Sequence, residues 1–408
     1  MKYVIIHGDG MADWPCDELS GKTPLEAAHK PHMDRIASIG ELGLVATIPA
    51  GMPPGSDVGT MSMLGYDPAR YHTGRAPIEA ASQGIEVGER DVVFRMNLVT
   101  LKPAEAGELI MEDFTAGHIG SDEAAALVRA IGAVLGRDGI EFFNGVSYRH
   151  LMVWREGVAG TRLTPPHDIT GKAVAPYLPS GQGADRLLGL MERAGEILRD
   201  HEVNRRRRAE NKPQATAVWF WGQGKRPAVP TLRERFGVDG AVISAVDLVK
   251  GLGRLAGLEL ITVPGATGFI DTDYAAKGRY GIEALKRCDF LLLHIEAPDE
   301  AAHLGRADLK VRAIEEIDRN IVGPLLSALE SSGPFALLLM PDHATPCALK
   351  THSNDPVPFA IVKSTETAGG VNRRYTEGDA ARTGISVAHG HTLIESLFGR
   401  PRPQAAAG

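Results

Sequence analysis

The stretch FLLLHIEAPDEAAH, residues 290–303, joins an unbroken apolar run to a carboxylate and an imidazole. A continuous run of about four to eight apolar residues is typical of a strand buried on both faces of a parallel sheet. Pro298 and Asp299 then have the composition of a helix start. Asp299 and His303 are four residues apart, so a helix would place both side chains on one face. The stretch therefore predicts a buried strand followed by a helix that presents a carboxylate and an imidazole on one face.

Three further apolar runs have the same character. They are YVIIHGDG (3–10), which leads to Asp9, FALLLMPDH (335–343), which leads to Asp342 and His343, and VPFAIV (357–362), which follows His352. Helical patterns cover 244–257 and 308–332. This alternation predicts an α/β fold with a mostly parallel sheet flanked by helices. Ligands of such sheets collect beyond the carboxyl ends of the strands, where these acidic residues fall.

The middle of the chain has a different composition. Glycine and proline interrupt it repeatedly, its helices are amphipathic and its strands are shorter. We interpret it as an α+β cap domain inserted into the first domain. The expected boundaries are 1–69 and 231–400 for the discontinuous core, 70–230 for the cap and 401–408 for a flexible tail.

The bulk composition gives no support to a nucleic-acid-binding, membrane-associated or secreted protein. The 408 residues are 43% apolar and 23% charged, with a formal net charge of -7 and a pI of about 6.1. These values favour neither a nucleic-acid nor a membrane partner. The three cysteines form no CxxC pair, and the N-terminal apolar run is too short for a signal peptide, so a cytoplasmic location is expected.

The polar residues near the strand ends suggest metal chemistry when they are taken together. Each pair alone also fits a turn or helix-start aspartate with a surface histidine. Together they supply three carboxylates and three imidazoles, namely Asp9, Asp299, Asp342, His303, His343 and His352. Mixed carboxylate and imidazole ligands suit divalent ions such as Mn²⁺ or Zn²⁺. The set is large enough for two metal sites if Ser56 or a substrate oxygen completes one of them.

Ser56, in PPGSDVGT, precedes a predicted helix and is either the N-cap of that helix or a nucleophile. A coordinated metal lowers the pKa of a hydroxyl, and a pair of metals stabilises the attacking and leaving oxygens of an in-line displacement. The chain contains neither a nucleophile-elbow serine motif nor GxxxxGK[ST], so acyl transfer and ATP hydrolysis have little support.

The order of these motifs resembles the alkaline phosphatase superfamily. The shared pattern is a GDG aspartate, a serine followed by an acid, D-x-x-x-H, D-H and HSNDPVPF. Within that superfamily, GKTPLEAAHKPHMDRIASIGELG, GVSYRHLMV and PGATGFIDTDYAAKG are similar to the archaeal-type branch of the cofactor-independent phosphoglycerate mutases. The resemblance covers nearly the whole chain except the tail. It implies an alkaline-phosphatase-like core with an inserted cap.

The resemblance also implies roles for individual residues. Ser56 would carry the phosphoryl group while 3-phosphoglycerate and 2-phosphoglycerate interconvert. The implied ligands are Asp299, His303 and His352 for one ion, and Asp9, Ser56, Asp342 and His343 for the other. The expected cofactors are two divalent ions, Mn²⁺ first and Zn²⁺, Co²⁺ or Mg²⁺ as alternatives, with no 2,3-bisphosphoglycerate and no nucleotide.

A cap of this kind should also supply cations for a small phosphorylated acid. The candidate substrate-binding residues are Arg75, Arg95, His118, Arg149, His150 and Lys225. The sequence departs from the resemblance at Thr60, where relatives often carry histidine. The alternative is therefore another phosphotransferase or phosphatase of the superfamily, such as a homoserine-kinase-type member.

Overall fold

The computed structural model describes residues 1–104, 107–366 and 370–403. The chain divides into two compact units, one formed by Met1–His72 with the chain from Ala228 onward, the other by Thr73–Pro227. These divisions lie three residues from the expected ones after residues 69 and 230. Most of the predicted tail, residues 404–408, lies outside the described residues. No helix in the described part is long and apolar enough to cross a membrane.

The strands of the described chain are short apart from one. They are β1 (Lys2–Gly8), β2 (Glu41–Val45), β3 (Val92–Pro103), β4 (Leu109–Asp113), β5 (Ile140–Phe143), β6 (Arg149–Trp154), β7 (Thr161–Arg162), β8 (Ser180–Gly181), β9 (Ala217–Gly224), β10 (Gly240–Ile243), β11 (Glu259–Ile261), β12 (Phe290–Ile295), β13 (Phe335–Met340), β14 (Val357–Lys363) and β15 (Ser386–Val387).

Sixteen α-helices lie among these strands in the described part of the chain. They are α1 (Pro24–Ala27), α2 (Pro31–Ile39), α3 (Ser56–Met63), α4 (Pro68–Tyr71), α5 (Arg75–Ser82), α6 (Ser121–Leu135), α7 (Ala184–Arg199), α8 (Glu202–Ala209), α9 (Leu232–Phe236), α10 (Asp247–Leu255), α11 (Tyr274–Leu285), α12 (Ala297–His303), α13 (Ala307–Ile317), α14 (Gly323–Ser332), α15 (Glu377–Arg382) and α16 (Leu393–Leu397). Short 3₁₀ turns cover Asp17–Leu19, Pro166–Ile169, Ala175–Tyr177 and Gly390–Thr392.

The first unit is built on an eight-stranded sheet in the order β11-β10-β12-β1-β13-β14-β2-β15. β1 lies between β12 and β13 and is parallel to both, with Val4 opposite Leu291 and Leu337. These strands are buried along their length, which explains why their apolar residues do not alternate with polar ones. The prediction of an α/β fold with a mostly parallel sheet is confirmed.

β14 is the exception among the predicted strands, because it runs antiparallel to both β13 and β2. Its first residue therefore lies at the edge of the sheet where β1, β12 and β13 end. His352 precedes β14 and so reaches the same edge as Asp9, although it stands before a strand rather than after one.

Helices pack on this sheet through one large core. Ile6 and Leu293 of the strands belong to the same buried cluster as Ile314 and Leu325 of the helices. The predicted helix over 308–332 is divided into α13 and α14 by a π-helical turn at Asp318–Val322.

The second unit contains an antiparallel sheet in which β3 is central. β9 pairs along one edge of β3. On the other edge, β6 pairs with residues 92–97 of β3 and β4 pairs with residues 100–103, and β5 pairs with the far edge of β6. Its core packs strand residues such as Phe94 and Phe220 against α6 and α7 through Leu127 and Leu187. β7 and β8 form a separate two-stranded sheet.

Candidate active site

The loops that follow three neighbouring strands bring the predicted acidic residues together. Asp9 follows β1, Asp342 follows β13, and Asp299 lies on α12 after β12. Their relative exposures are 0%, 0% and 3%, so three carboxylates are buried in a small volume. Burying several carboxylates without a cation is strongly unfavourable, so this arrangement indicates a cation site.

The first predicted ligand set is assembled around Asp299. The Nε2 atom of His303 lies 3.0 Å from Asp299 Oδ2, and the Nε2 atom of His352 lies 3.6 Å from Asp299 Oδ1. The two imidazole Nε2 atoms are 3.2 Å apart. Thr345 donates a hydrogen bond to Asp299 Oδ1 at 2.5 Å and fixes the carboxylate. The i,i+4 spacing predicted from the sequence thus places Asp299 and His303 in contact.

The second predicted set is assembled around His343. Its Nε2 atom lies 3.6 Å from Asp9 Oδ1, 3.3 Å from Asp342 Oδ2 and 3.3 Å from the hydroxyl of Ser56. Asp342 and His343 come after the end of β13, where both side chains can turn toward one point. All four predicted residues of this set therefore converge.

Ser56 is the first residue of α3, and Gly55 occupies the N-cap position. The interpretation of Ser56 as the cap of that helix is therefore wrong by one residue. Its hydroxyl faces His343 instead, and the first-turn backbone N–H groups of α3 favour an anion at the same place.

Gly10, in the loop after β1, and Gly59, in α3, allow these two segments to pack closely against the loop after β13. Gly10 has φ +59°, and a Cβ there would lie 2.5 Å from Thr345 Oγ1 and 2.6 Å from Asp299 Oδ1. A Cβ at Gly59 would lie 2.5 Å from the carbonyl oxygen of Asp342. A Cβ atom cannot lie this close to another heavy atom, so glycine is required at both positions, after β1 and in α3.

The electrostatics of the site follow from burial and from these contacts. Burial, reinforced by the neighbouring charge of Asp342, raises the pKa of Asp9 well above its usual range. Burial alone would raise the pKa of Asp299 as well, but hydrogen bonds from His303 and His352 outweigh it and hold that pKa well below the usual range. The same hydrogen bond, which Asp299 accepts from His303, raises the pKa of His303 to about 9. In the metal-free protein, protons on these groups supply the positive charge that a bound metal ion would supply instead.

The donor atoms fit divalent ions. Asp9 Oδ1 and Asp342 Oδ2 are buried without hydrogen-bond partners, which is unusual for carboxylate oxygens and is expected of ligand atoms. Two groups with mutually close donor atoms are Asp299, His343 and His352, and Asp9, Asp342 and His343. Oxygen and imidazole nitrogen ligands of this kind suit Mn²⁺, Zn²⁺ and related ions.

One buried polar residue near the site, Lys310, was not singled out from the sequence. Lys310 is fully buried and donates hydrogen bonds to Asp13 Oδ2 at 2.7 Å and to the carbonyl oxygens of Ala12 and Thr345 at 3.0 and 2.9 Å. This lysine joins the loops after β1 and β13. Lys310 stands at a charged position of an amphipathic helical pattern. Such positions are normally exposed to solvent, so the sequence did not indicate that this side chain is buried.

In the second unit, Arg95 is the buried arginine among the predicted cations. It is 7% exposed, its Nε atom lies 3.1 Å from Glu79 Oε2, and its guanidinium stacks 4.0 Å from the ring of Trp221. Burial lowers the pKa of Arg95, Glu79 raises it, and the charges of Arg75 and Arg149 lower it further. Arg149 lies opposite Asn97, two residues from Arg95, in the pairing of β6 with β3, and Arg75 lies one helical turn before Glu79 on α5.

The remaining predicted cations of this unit have different surroundings. Arg149 and His118 are exposed; the Arg149 guanidinium lies 5.7 Å, and the His118 ring 6.2 Å, from the centre of the Tyr148 ring. Lys225 is also exposed. His150 is buried, and burial lowers its pKa to about 4, so it is neutral at pH 7.

His167 was missed by the sequence reasoning. Its ring lies 5.2 Å from Trp221, in an edge-to-face contact. It therefore belongs to the same aromatic patch as Arg95. The surrounding TPPHDIT reads as a turn, and no sequence signal distinguishes this histidine from a surface one.

Comparison with known proteins gives concordant results. A family model described as 2,3-bisphosphoglycerate-independent phosphoglycerate mutase matches residues 37–204. A protein of that name from Methanothrix thermoacetophila is 50% identical over 402 residues, which cover 98% of this chain and 100% of the relative. One from Methanothermobacter thermautotrophicus is 50% identical over 400 residues, which cover 98% of this chain and 97% of the relative.

Solved structures agree over the full length. A protein from Pyrococcus horikoshii is 32% identical with a TM-score of 0.82, and the match covers 100% of both chains. A cofactor-independent phosphoglycerate mutase from Thermoplasma acidophilum is 26% identical with a TM-score of 0.69, covering 98% of this chain and 99% of that one.

Proposed function

The chain belongs to the family of 2,3-bisphosphoglycerate-independent phosphoglycerate mutases, and we propose that it interconverts 3-phosphoglycerate and 2-phosphoglycerate through a phosphoserine on Ser56. One observation carries the assignment of the nucleophile. The Ser56 hydroxyl lies 3.3 Å from His343 Nε2, beside three buried carboxylates at one edge of the sheet.

The proposed reaction has two balanced transfers. Ser56 Oγ forms a bond to phosphorus while the bond from phosphorus to the glycerate oxygen breaks. Ser56 loses its hydroxyl proton, and the leaving glycerate oxygen gains one. The other hydroxyl of the same glycerate then attacks phosphorus, and the Ser56 hydroxyl is restored. The N-terminus of α3 stabilises the anionic phosphoryl group throughout.

We propose that the buried donors hold two divalent ions. One set is Asp299, His303 and His352, and the other is Asp9, Ser56, Asp342 and His343. Ions bound there would lower the pKa of the serine hydroxyl and neutralise charge on the phosphoryl oxygens. Mn²⁺ is the first candidate, and Zn²⁺, Co²⁺ and Mg²⁺ are the alternatives.

We propose that the cationic cluster of the second unit binds the anionic groups of the substrate. Arg95 is fixed by Glu79 and Trp221, while Arg75 and Arg149 are exposed near it. Guanidinium groups bind carboxylate and phosphate bidentately. Arg149→Met should therefore raise KM more than it lowers kcat, whereas Arg162→Met, an exposed arginine of β7, serves as the control.

The direct test is an isomerisation assay on metal-stripped protein. Protein, Mn²⁺ and 3-phosphoglycerate are mixed without 2,3-bisphosphoglycerate or nucleotide, and 2-phosphoglycerate is followed by phosphorus NMR. The isomer should form only when the metal is present. Release of inorganic phosphate without the isomer would reject the mutase assignment, and activity that required ATP and homoserine would favour the kinase-type alternative.

The proposed location of this reaction is the cytoplasm. Its support is that Cys16, Cys288 and Cys347 are all free thiols in the structure.

A further inference from the structure

The backbone between β4 and α6 forms a left-handed turn at residues 116–118. Ala116, Gly117 and His118 have φ values of +49°, +68° and +47°. This conformation is unfavourable for residues that carry a Cβ atom, so Ala116 and His118 need support from the surrounding structure. Ala116 and Ile119 are buried, and His118 is exposed between them. The turn is therefore fixed in the core of the unit and presents the imidazole to solvent.

Hydrogen bonds within the segment hold the N–H groups of the turn. The carboxylate of Asp113 accepts hydrogen bonds from the backbone N–H and the hydroxyl of Thr115, both at 2.7 Å, and from the N–H of Gly117 at 2.6 Å. The Thr115 hydroxyl in turn accepts a hydrogen bond from the N–H of His118 at 2.9 Å. The carbonyl groups of the turn need donors from elsewhere in the chain.

Arg207 of α8 supplies such a donor from a distant part of the chain. This arginine is 3% exposed, although the other arginines of the run 205–208 are exposed. Its Nη2 atom donates to the carbonyl oxygen of Ala116 at 2.8 Å, and its Nη1 atom donates to Glu123 Oε2 at 2.6 Å. Its Nε atom donates to the carbonyl oxygen of Pro213 at 2.7 Å. Because Glu123 lies in the first turn of α6, one guanidinium joins the left-handed turn to the helix that follows it.

The turn places His118 next to one of the proposed substrate-binding cations. The centre of its ring lies 6.2 Å from that of Tyr148, and the guanidinium of Arg149 lies 5.7 Å from the centre of the same Tyr148 ring. The hydroxyl of Ser147, just before Tyr148, donates a hydrogen bond to the carbonyl oxygen of Ile119 at 2.7 Å, which ties the two segments together. An imidazole N–H can donate to carboxylate and phosphate oxygens. The turn therefore holds a group able to bind an anion beside Arg149.

We propose that Arg207 is a positioning residue, which holds the turn at residues 116–118 so that the His118 imidazole and Arg149 bind one anionic group of the substrate. This inference rests on the proposed function and adds a residue that acts through another. Arg207 does not touch the substrate, since it is buried and each of its guanidinium nitrogen atoms donates to an acceptor of the protein. A turn that is formed before the substrate arrives avoids the entropic cost of ordering it on binding.

The kinetic test separates positioning from folding. Arg207→Met should raise KM for 3-phosphoglycerate about tenfold and change kcat by less than about twofold. Loss of folded protein would instead lower kcat and leave KM unchanged. Arg206→Met is the matched control, because Arg206 is exposed and pairs with the same Glu123 at 2.9 Å. Its KM should stay within about twofold of the wild-type value. His118→Asn should raise KM by a factor similar to that of Arg207→Met, and the double variant should raise it no further than His118→Asn alone.

An unchanged KM in Arg207→Met, or effects of the two substitutions that multiply in the double variant, would overturn the proposal. If Arg207→Met does not fold, as judged by circular dichroism, Arg207→Lys decides the question. It keeps the charge beside Glu123 but replaces three separate donor nitrogen atoms with one, so KM should still rise. An unchanged KM in Arg207→Lys would equally overturn the proposal.

A second measurement needs no substrate and is made on the full-length protein. Hydrogen exchange followed by mass spectrometry should show that the amides of residues 113–120 exchange about tenfold or more faster in the Arg207 variant than in the wild type or in Arg206→Met. Equal exchange in all three proteins would overturn the proposal even if the protein isomerises phosphoglycerate. Faster exchange in a protein without mutase activity would reject the proposed function while supporting the role of Arg207 in the turn.

Discussion

Ser56 is the residue on which the proposed chemistry depends. Ser56→Ala removes the hydroxyl oxygen that is proposed to carry the phosphoryl group, so turnover should fall by about 10⁴-fold or more. The measurement is 2-phosphoglycerate formation at saturating Mn²⁺. The matched control is Ser62→Ala on the same helix, whose hydroxyl donates to the carbonyl of Thr47. It should cost about 1 kcal/mol of stability and leave turnover unchanged. Wild-type turnover in Ser56→Ala would disprove the phosphoserine.

His303 gives the metal-free protein a defined pH dependence. Its pKa is raised to about 9 by the hydrogen bond with Asp299, above the unfolded value of about 6.5. The stabilisation is therefore complete below about pH 6.5 and is lost as the pH rises through about 9. Urea unfolding in a chelator should show a larger difference between wild type and His303→Gln at pH 6 than at pH 9.5.

Saturating Mn²⁺ should reverse that trend, because the ion binds the neutral imidazole and competes with protons. The difference in unfolding free energy between the two proteins should then grow with pH. A difference that stayed constant with pH in both conditions would contradict the assignment of His303.

At the scale of elements, the contact between α3 and the loop after β13 depends on Gly59. Alanine normally stabilises a helix by about 1 kcal/mol relative to glycine. Here the added Cβ would lie 2.5 Å from the Asp342 carbonyl oxygen, so Gly59→Ala should instead destabilise by about 1–3 kcal/mol and lower activity. Gly189 of α7 has no atom within 4 Å of the same position, and Gly189→Ala should be stabilising. Thermal unfolding of both variants checks the opposite signs.

The loops after β1 and β13 are held together by Lys310 of α13. Lys310→Met keeps the apolar stem but leaves the buried Asp13 carboxylate without its ammonium partner, so the free energy of unfolding should fall by about 3–5 kcal/mol. Lys286→Met is the control, because its ammonium is largely exposed and pairs with Glu283 on the surface. That change should remain below about 0.5 kcal/mol. Equal effects of the two substitutions in urea would contradict the role of Lys310.

Individual elements differ in how far their sequence specifies them. β1, β12 and β13 were predicted because each is a continuous apolar run, and the i,i+4 spacing predicted the contact of Asp299 with His303. The direction of β14 could not be predicted, because an apolar run does not indicate which way its strand crosses the sheet. The direction of β14 depends on the path of residues 341–356. Lys310 was missed because its acceptors are up to 298 residues away.

At the scale of the whole molecule, Thr73–Pro227 has the properties of an independent domain. Its core is formed by its own residues, and the hydroxyl of Thr73 near its start donates to the carbonyl of Lys225 near its end. A polypeptide of residues 73–227 should therefore unfold cooperatively in urea, with retained near-ultraviolet circular dichroism. A gradual, non-cooperative transition would show that it depends on the rest of the chain.

The central position of β1 has a consequence for synthesis on the ribosome. β1 emerges well before its neighbours β12 and β13, which begin only at residues 290 and 335. At roughly 5–20 residues per second, the nascent strand waits about 15–60 s for its first partner. During that time an apolar segment is exposed while the inserted unit is already complete. The nascent chain should therefore recruit a chaperone at β1, and it should release that chaperone only after β13 has left the exit tunnel.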